Sequence, residues 1–392
     1  MWRRAVALVN ARVAAEGRIA SSIRFRSRVL GIDAPPERSD TVVDLEGAFV
    51  LPGLLNAHDH LELNHFGRVK FRDSYENAAL WIEDMRPKLR EDPGIREGRS
   101  HPLRDRLLVG GLKNLLSGVT TVSHHNPLYR ELGRGFPVRV VRRYGWAHSF
   151  FLEREADVER AYRKTPPDAP FLIHLAEGFD AKARDELKRL RELGCLGENT
   201  VLVHGVGLSA DDWVSVGRAR AGLVWCPSSN LFLLGRTVPL DRFLASDPSA
   251  IALGSDSRLS GARDLLEELR AARAAADVEP ADLLRMVTVN AAKLLKVPDA
   301  GRLSPGLPAD LVVIPPLAED PARALLALDR SRIRLVVVGG RPLVGAPELS
   351  PVFATRRVAT AEAKLDGQER ILDETVARRI RASSLAEPGL EL

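Results

Sequence analysis

Two histidines one residue apart, His58 and His60, close the apolar run LLNAHDH. A strand turns alternate side chains to the same face, so both imidazoles would point one way. Neutral imidazole suits zinc and neighbouring transition metals, and two rings on one face could share a cation. His174 closes a second apolar run, PFLIHL (170–175), and His204 a third, NTVLVHG (199–205). Asp256 ends a fourth, AIALGSD (250–256), while His124, His125 and His148 stand near the ends of further candidate strands. One histidine in such a position is usually polar filler. Strand-end His and Asp residues recurring in register point to a metal site instead.

Such residues meet only if their strands are parallel and open onto one mouth. From residue 102 the pattern is of helices alternating with buried strands. LRDRLLVGGLKNLLSG sets Leu103, Leu107, Leu108, Leu112, Leu115 and Leu116 on one helical face and stops at Gly118. The short runs GVTTV (118–122), VRVV (138–141), WAHSFF (146–151) and AGLVWC (221–226) read as strands. Helices are predicted from Asp180 to Leu193, from Ser209 onward, over 263–276 and over 280–296. Repeated strand–helix units give a parallel sheet or a (β/α)8 barrel, here at about 53–304, whose C-terminal strand ends converge. Residues 1–52 read instead as short strands punctuated by Gly and Pro. ADLVVI (309–314), IRLVVVGGRPL (333–343) and TRRVATAEA (355–363) read the same way, so both chain ends are expected to share one β domain.

PGLLNAHDHLE (52–62), GVTTV, IHLAEG (173–178), VHG (203–205), CPSSN (226–230) and LGSDS (253–257) occur in the order seen in the amidohydrolase superfamily. The sequence resembles most the branch of cytosine, guanine and adenosyl-type deaminases and chlorohydrolase-like triazine hydrolases, over about residues 40–345. The resemblance implies an α/β fold: a distorted (β/α)8 TIM barrel at 53–304, with a small discontinuous β-sandwich domain from residues 1–52 and 305–392. It implies one divalent metal ion per chain, zinc first, with iron or manganese also occurring in the family. Carried over by motif, the metal ligands would be His58, His60, His174 and Asp256. Glu177 would be a proton shuttle, and His204 a partner of the metal-bound water or the substrate. A lysine bridge between two metals is not expected, since Lys164 is the only lysine between residues 114 and 181.

The chemistry follows from the residue types. A divalent ion lowers the pKa of bound water from 15.7 to about 7, so a metal-bound hydroxide is at hand at neutral pH. It attacks an electrophilic carbon, and a carboxylate moves a proton to the departing nitrogen. Glu177, three residues past His174, is placed for that; a structural carboxylate bonded to a histidine is the alternative. His204 could equally support another side chain, and Asp256 could cap the following helix. The leading expectation is hydrolytic deamination of an amino-substituted nitrogen heterocycle or amidine. Hydrolysis of a cyclic amide or N-acyl group would use the same site, and a non-catalytic scaffold is the alternative of another class.

For substrate contacts the candidates are His65 and Arg68 in the basic loop over the mouth, His124, His125 and His148 at strand ends, and Ser229 and Asn230 in CPSSN. Cys226 in that motif reads as a packed thiol. The region between GVTTV and IHLAEG leaves little room for a full third helix and fourth strand, and the P-H-A-P-Y-type segment common in these deaminases is missing. The remaining features exclude more than they suggest. A net charge of +5 is spread along the chain, with no stripe to bind nucleic acid. No apolar run reaches the ~18 residues of a membrane span, and the basic N-terminus is broken at Asn10 and Arg12, unlike a secretory leader. Two distant cysteines, Cys195 and Cys226, fit a reducing cytoplasm. The partner expected is a small-molecule substrate, and the resemblance also implies a homodimer or higher homo-oligomer.

Overall fold

The computed structural model describes residues 4–15, 17–240 and 247–392. Seven short strands come first: β1 (Val6–Val9), β2 (Arg12–Ala15), β3 (Arg18–Ala20), β4 (Ile23–Phe25), β5 (Val29–Ile32), β6 (Thr41–Asp44) and β7 (Phe49–Pro52). Eight strands then carry the site: β8 (Leu54–Asp59), β9 (Val119–His124), β10 (Arg139–Val140), β11 (Gly145–Ala147), β12 (Phe171–Leu175), β13 (Thr200–His204), β14 (Gly222–Trp225) and β15 (Ile251–Leu253). They pair in parallel as β10-β9-β8 and as β11-β12-β13-β14-β15. Past β15, the Asp256 N–H donates to the His58 carbonyl at 3.1 Å, bringing the last strand to the first. That approach needs Gly254, where a Cβ would lie 2.6 Å from the Cβ of His58.

Helices α1 (Ala78–Glu91), α2 (Pro93–Ser100) and α3 (Leu103–Leu116) separate β8 from β9. The later connections carry α4 (Glu155–Lys164), α5 (Ala181–Glu192), α6 (Ala210–Ala219) and α7 (Pro227–Leu234); α8 (Leu265–Ala275), α9 (Pro280–Met286) and α10 (Val289–Leu294) follow β15. The predicted starts hold where a side chain caps the helix. Asp180 accepts from Ala183 N–H, and Ser209 forms a capping box with Asp212.

Four expectations are corrected. VRVV is a strand only at Arg139–Val140, and WAHSFF only through Ala147. The third and fourth strands thus exist as stubs joined without a helix. The helix expected over 280–296 is two, because Asn290 donates to the carbonyls of Pro248 and Ile251 and draws α10 under β15. TRRVATAEA begins at the end of a helix, α12 below. Arg357, at φ +55°, stops that helix before a strand starts at Thr360.

The chain then returns to the β region through β16 (Leu311–Ile314), α11 (Pro321–Leu326), β17 (Leu335–Val338), β18 (Arg341–Gly345), α12 (Ser350–Arg356), β19 (Thr360–Leu365), β20 (Gln368–Asp373), α13 (Glu374–Arg381) and β21 (Leu390–Glu391). One sheet has the order β5-β4-β1-β6, and the other β21-β19-β20-β18-β17-β16-β7-β2-β3. Antiparallel β7 and β16, with Val50 opposite Val313, join the two chain ends. Val6, Leu8 and Phe25 of the first sheet share a buried cluster with Val50, Val313 and Leu335 of the second. Among the described residues no helix is long and apolar enough to cross a membrane.

The C-terminal tail is tied to the site region by charge. Glu387 is fully buried and accepts from Arg258 at 2.7 and 2.9 Å and from Arg330 at 2.6 Å; Arg258 lies two residues past Asp256. Removing one member of a buried ionic group costs about 3–5 kcal/mol, because the remaining charges stay buried and unpaired. Glu387→Ala should therefore lower the free energy of urea unfolding by that amount. A loss below about 1 kcal/mol, the worth of an exposed pair, would show that the tail does not hold this loop.

Candidate functional site

His58 sits at the end of β8 with no exposed surface. Its Nδ1 is 3.3 Å from the Nδ1 of His125, whose Nε2 lies 2.9 Å from the Ala147 carbonyl. A carbonyl only accepts, so His125 carries its proton on Nε2 and accepts at Nδ1. His58 must then donate from Nδ1, which leaves a lone pair on Nε2. That Nε2 is buried and has no hydrogen-bond partner among the described residues. His174 is oriented in the same way, with Nδ1 donating to the His148 carbonyl at 2.8 Å.

The inward-facing ring nitrogens converge. The Nε2 atoms of His60 and His174 are 3.2 Å apart. Asp256 Oδ1 lies 3.8 Å from His58 Nε2 and 3.9 Å from His60 Nε2. Nitrogens bound at 2.0–2.1 Å around a tetrahedral zinc would stand about 3.3 Å apart, so the donors fit one ion with small adjustment. Ligand atoms within 4.8 Å of one another form two triplets, His58/His60/His174 and His58/His204/Asp256, which share His58.

The backbone turns sharply at these strand ends. Ala176, His204 and Asp256 all have left-handed conformations, at φ +52°, +74° and +50°. Non-glycine residues rarely adopt that region, and they tend to do so where a site over-determines them. Charge is set by burial. It holds His58, His125 and His174 well below the ordinary imidazole range and His60 and His148 at about 3, so the rings are neutral, as metal binding requires. Burial opposes ionisation of Asp256, but His60, His204, the Ser229 hydroxyl and the Ser257 N–H together hold its carboxyl below the usual range. Burial pushes Glu177 up to about 7, against the pull of His204, whose Nε2 is 3.6 Å from Glu177 Oε1.

The seven substrate-contact candidates divide. His148 lines the cavity over the cluster, its ring centroid 4.6 Å from that of His174. His125 lies beneath His58, as described. Ser229 donates to Asp256 Oδ2 at 2.8 Å, and Asn230 Oδ1 accepts from His204 Nδ1 at 2.9 Å, so both orient site residues. His124 accepts from the Leu61 N–H beside Tyr129. His65 bonds the Gly98 carbonyl at 2.9 Å and Arg68 the Gly261 carbonyl at 2.8 Å, and none of these three lines the cavity. Cys226 is a packed thiol, as expected.

Three supporting groups escape a reading by motif. Lys113 of α3 is 0% exposed and donates to the Asp256 carbonyl at 2.6 Å; its ammonium also lies 3.3 Å from Asp59 Oδ2. Asp59 further accepts from Asn64 and Asn114, each at 2.8 Å. Asn126 lies 3.3 Å from His60 Nδ1. The one signal was a lysine set between leucines in an apolar helix.

Residues 171–343 match the model of the amidohydrolase family. Relatives include a 5-methylthioadenosine/S-adenosylhomocysteine deaminase of Pyrococcus furiosus, 26% identical over 70% of this chain and 77% of its own. An 8-oxoguanine deaminase of Pseudomonas aeruginosa is 32% identical over 50% of this chain and 49% of its own. In structure the chain is similar to a zinc-complexed atrazine chlorohydrolase of Arthrobacter aurescens, with TM-score 0.71 and 19% identity over 90% of this chain and 99% of that one. An adenosine deaminase of Xanthomonas campestris with bound zinc gives TM-score 0.70 and 18% identity over 90% and 97%. These findings bear out the family resemblance and the fold read from the motifs.

Proposed function

We propose that this chain, whose residues 171–343 match the amidohydrolase family, is a metal-dependent hydrolase that deaminates an amino-substituted nitrogen heterocycle or related amidine. The observation that carries the reading is the convergence of His58 Nε2, which has no other partner, with His60 Nε2, His174 Nε2 and Asp256 Oδ1. Those four residues would hold one divalent ion, and the zinc named with two structural neighbours favours zinc. Bound there, it would supply hydroxide at neutral pH by lowering the pKa of water to about 7. Lys113 does not serve a second ion, because its ammonium is engaged by the Asp256 carbonyl and Asp59.

The remaining work falls to the chain. Donation from His204 Nδ1 to Asn230 leaves His204 Nε2 as an acceptor facing Glu177, able to orient a water molecule. Glu177, with its carboxyl near pKa 7, takes a proton from water and returns it to the substrate nitrogen. Oxygen is added at carbon, the C–N bond breaks, and ammonia leaves. The cavity has a wall that is apolar over most of its area and is of the size usual for small-molecule sites, about 370 Å³. Residues 53–304 would be the catalytic barrel and 1–52 with 305–392 its β domain. Two buried, unpaired cysteines support a place in the cytoplasm.

Ammonia release by zinc-loaded protein, measured over aminopurines, aminopyrimidines, aminotriazines and amidines, tests the reading. Release is expected from one class and should be lost in Glu177→Gln. Silence over the whole panel from fully loaded protein would contradict deamination. The hydrogen bond behind His58 gives a separate prediction. His125→Phe should weaken zinc binding about 10–100-fold, measured by competition with a chromophoric chelator. An unchanged zinc affinity would show that His125 does not set the His58 tautomer.

A further inference from the structure

The wall of the cavity over the cluster carries both apolar and polar groups. Phe66, Trp81, Met85, Leu89, Ile95 and Leu259 are among its apolar members. Its acidic members, Glu177 and Asp256, are taken up by the site, and Ser260 is spent on Asp256 Oδ2 at 2.9 Å.

Two cations line the same cavity, Arg99 and Arg106. Arg99 is exposed, and its Nη1 donates to the Leu89 carbonyl at 3.3 Å. Arg106, on α3, is half-buried, and its Nε is shut off from solvent with no hydrogen-bond partner among the described residues. Glu62 is the acid that feels its charge, but Glu62 accepts from Asn126 and its Oε2 is likewise unpartnered, so the two do not form a contact pair. Arg106 lines the cavity with no acceptor for its guanidinium among the described residues, so a ligand there can supply one to its terminal nitrogens. The planar fork matches a carboxylate through two parallel bonds. A phosphate dianion would leave oxygens unpaired against leucine and methionine.

We propose that Arg106 receives a carboxylate carried on a short apolar arm of the substrate, which makes that substrate an anionic alkyl-substituted aminoheterocycle. The inference rests on the deaminase reading of the same site, and its test separates the two. Aminotriazines and aminopurines are made as matched pairs bearing N-propyl or N-carboxyethyl arms. Ammonia release by the zinc-loaded protein gives kcat/KM, and calorimetric titration of zinc-loaded Glu177→Gln gives Kd without turnover. For at least one ring the carboxyethyl member should be favoured by about tenfold to a hundredfold. That ratio should fall close to one in Arg106→Met and be partly restored in Arg106→Lys. A ratio near one, or below it, in wild-type protein overturns the proposal whatever the variants do. So does a preference that survives Arg106→Met, since the carboxylate would then be held at the metal centre. Binding that prefers the carboxylate through Arg106, with no ammonia from any pair, would keep the subsite and overturn the deaminase reading.

Discussion

Glu177→Gln is expected to lower kcat for ammonia release by about 10²–10⁴-fold, the usual worth of a positioned general acid–base group, while zinc stays bound. Glutamine keeps the shape and the hydrogen-bonding capacity beside His204 but cannot take and return a proton. Glu177 is also not among the side chains whose atoms converge on the candidate metal position. His58→Asn should give the opposite pattern, losing metal and activity together, because the buried Nε2 is removed from the centre of both donor triplets. Kinetics and elemental analysis of the two variants separate proton transfer from metal binding. A Glu177→Gln enzyme within tenfold of wild type would remove Glu177 from the reaction.

Lys113→Met should cost as much stability as Glu387→Ala. Methionine fills a similar volume but leaves the Asp59 carboxylate buried without its cation and the Asp256 carbonyl without its donor. Breaking a buried pair in this way costs about 3–5 kcal/mol, readable as a fall in the free energy of urea unfolding. The loss should exceed that of Arg143→Met, whose partner Asp168 is largely exposed. Equal effects would mean that Lys113 is a bystander in the core.

What the sequence makes legible here depends on how far a residue's partners lie from it. The strand-end histidines are readable because position alone gives their meaning: a parallel strand ends where its neighbours end. Their period also separates His124 from His125, whose side chains turn to opposite faces, and only His125 reaches His58. Ser229 and Asn230 look like substrate contacts because they follow a strand end. Their partners, Asp256 and His204, are 27 and 26 residues away, and no local pattern marks such bonds. Lys113 is hidden for a related reason, since lysine is rarely buried and its acceptors come from β8 and the turn after β15. The basic loop misleads in the other direction. His65 and Arg68 each bond a carbonyl away from the cavity, whereas Arg106, on α3 beyond two further helices, lines it. The strand stubs β10 and β11 are too short for periodicity to register, at two and three residues.

The central claim is that one metal ion, held by His58, His60, His174 and Asp256, powers hydrolytic removal of ammonia. The most direct measurement is a titration of metal-free protein with zinc, reading ammonia release from the best substrate of the panel at each step. The account predicts activity rising in proportion to zinc and breaking at one equivalent per chain, with no rise in His58→Asn. Activity independent of added zinc, or a break at two equivalents, would contradict it.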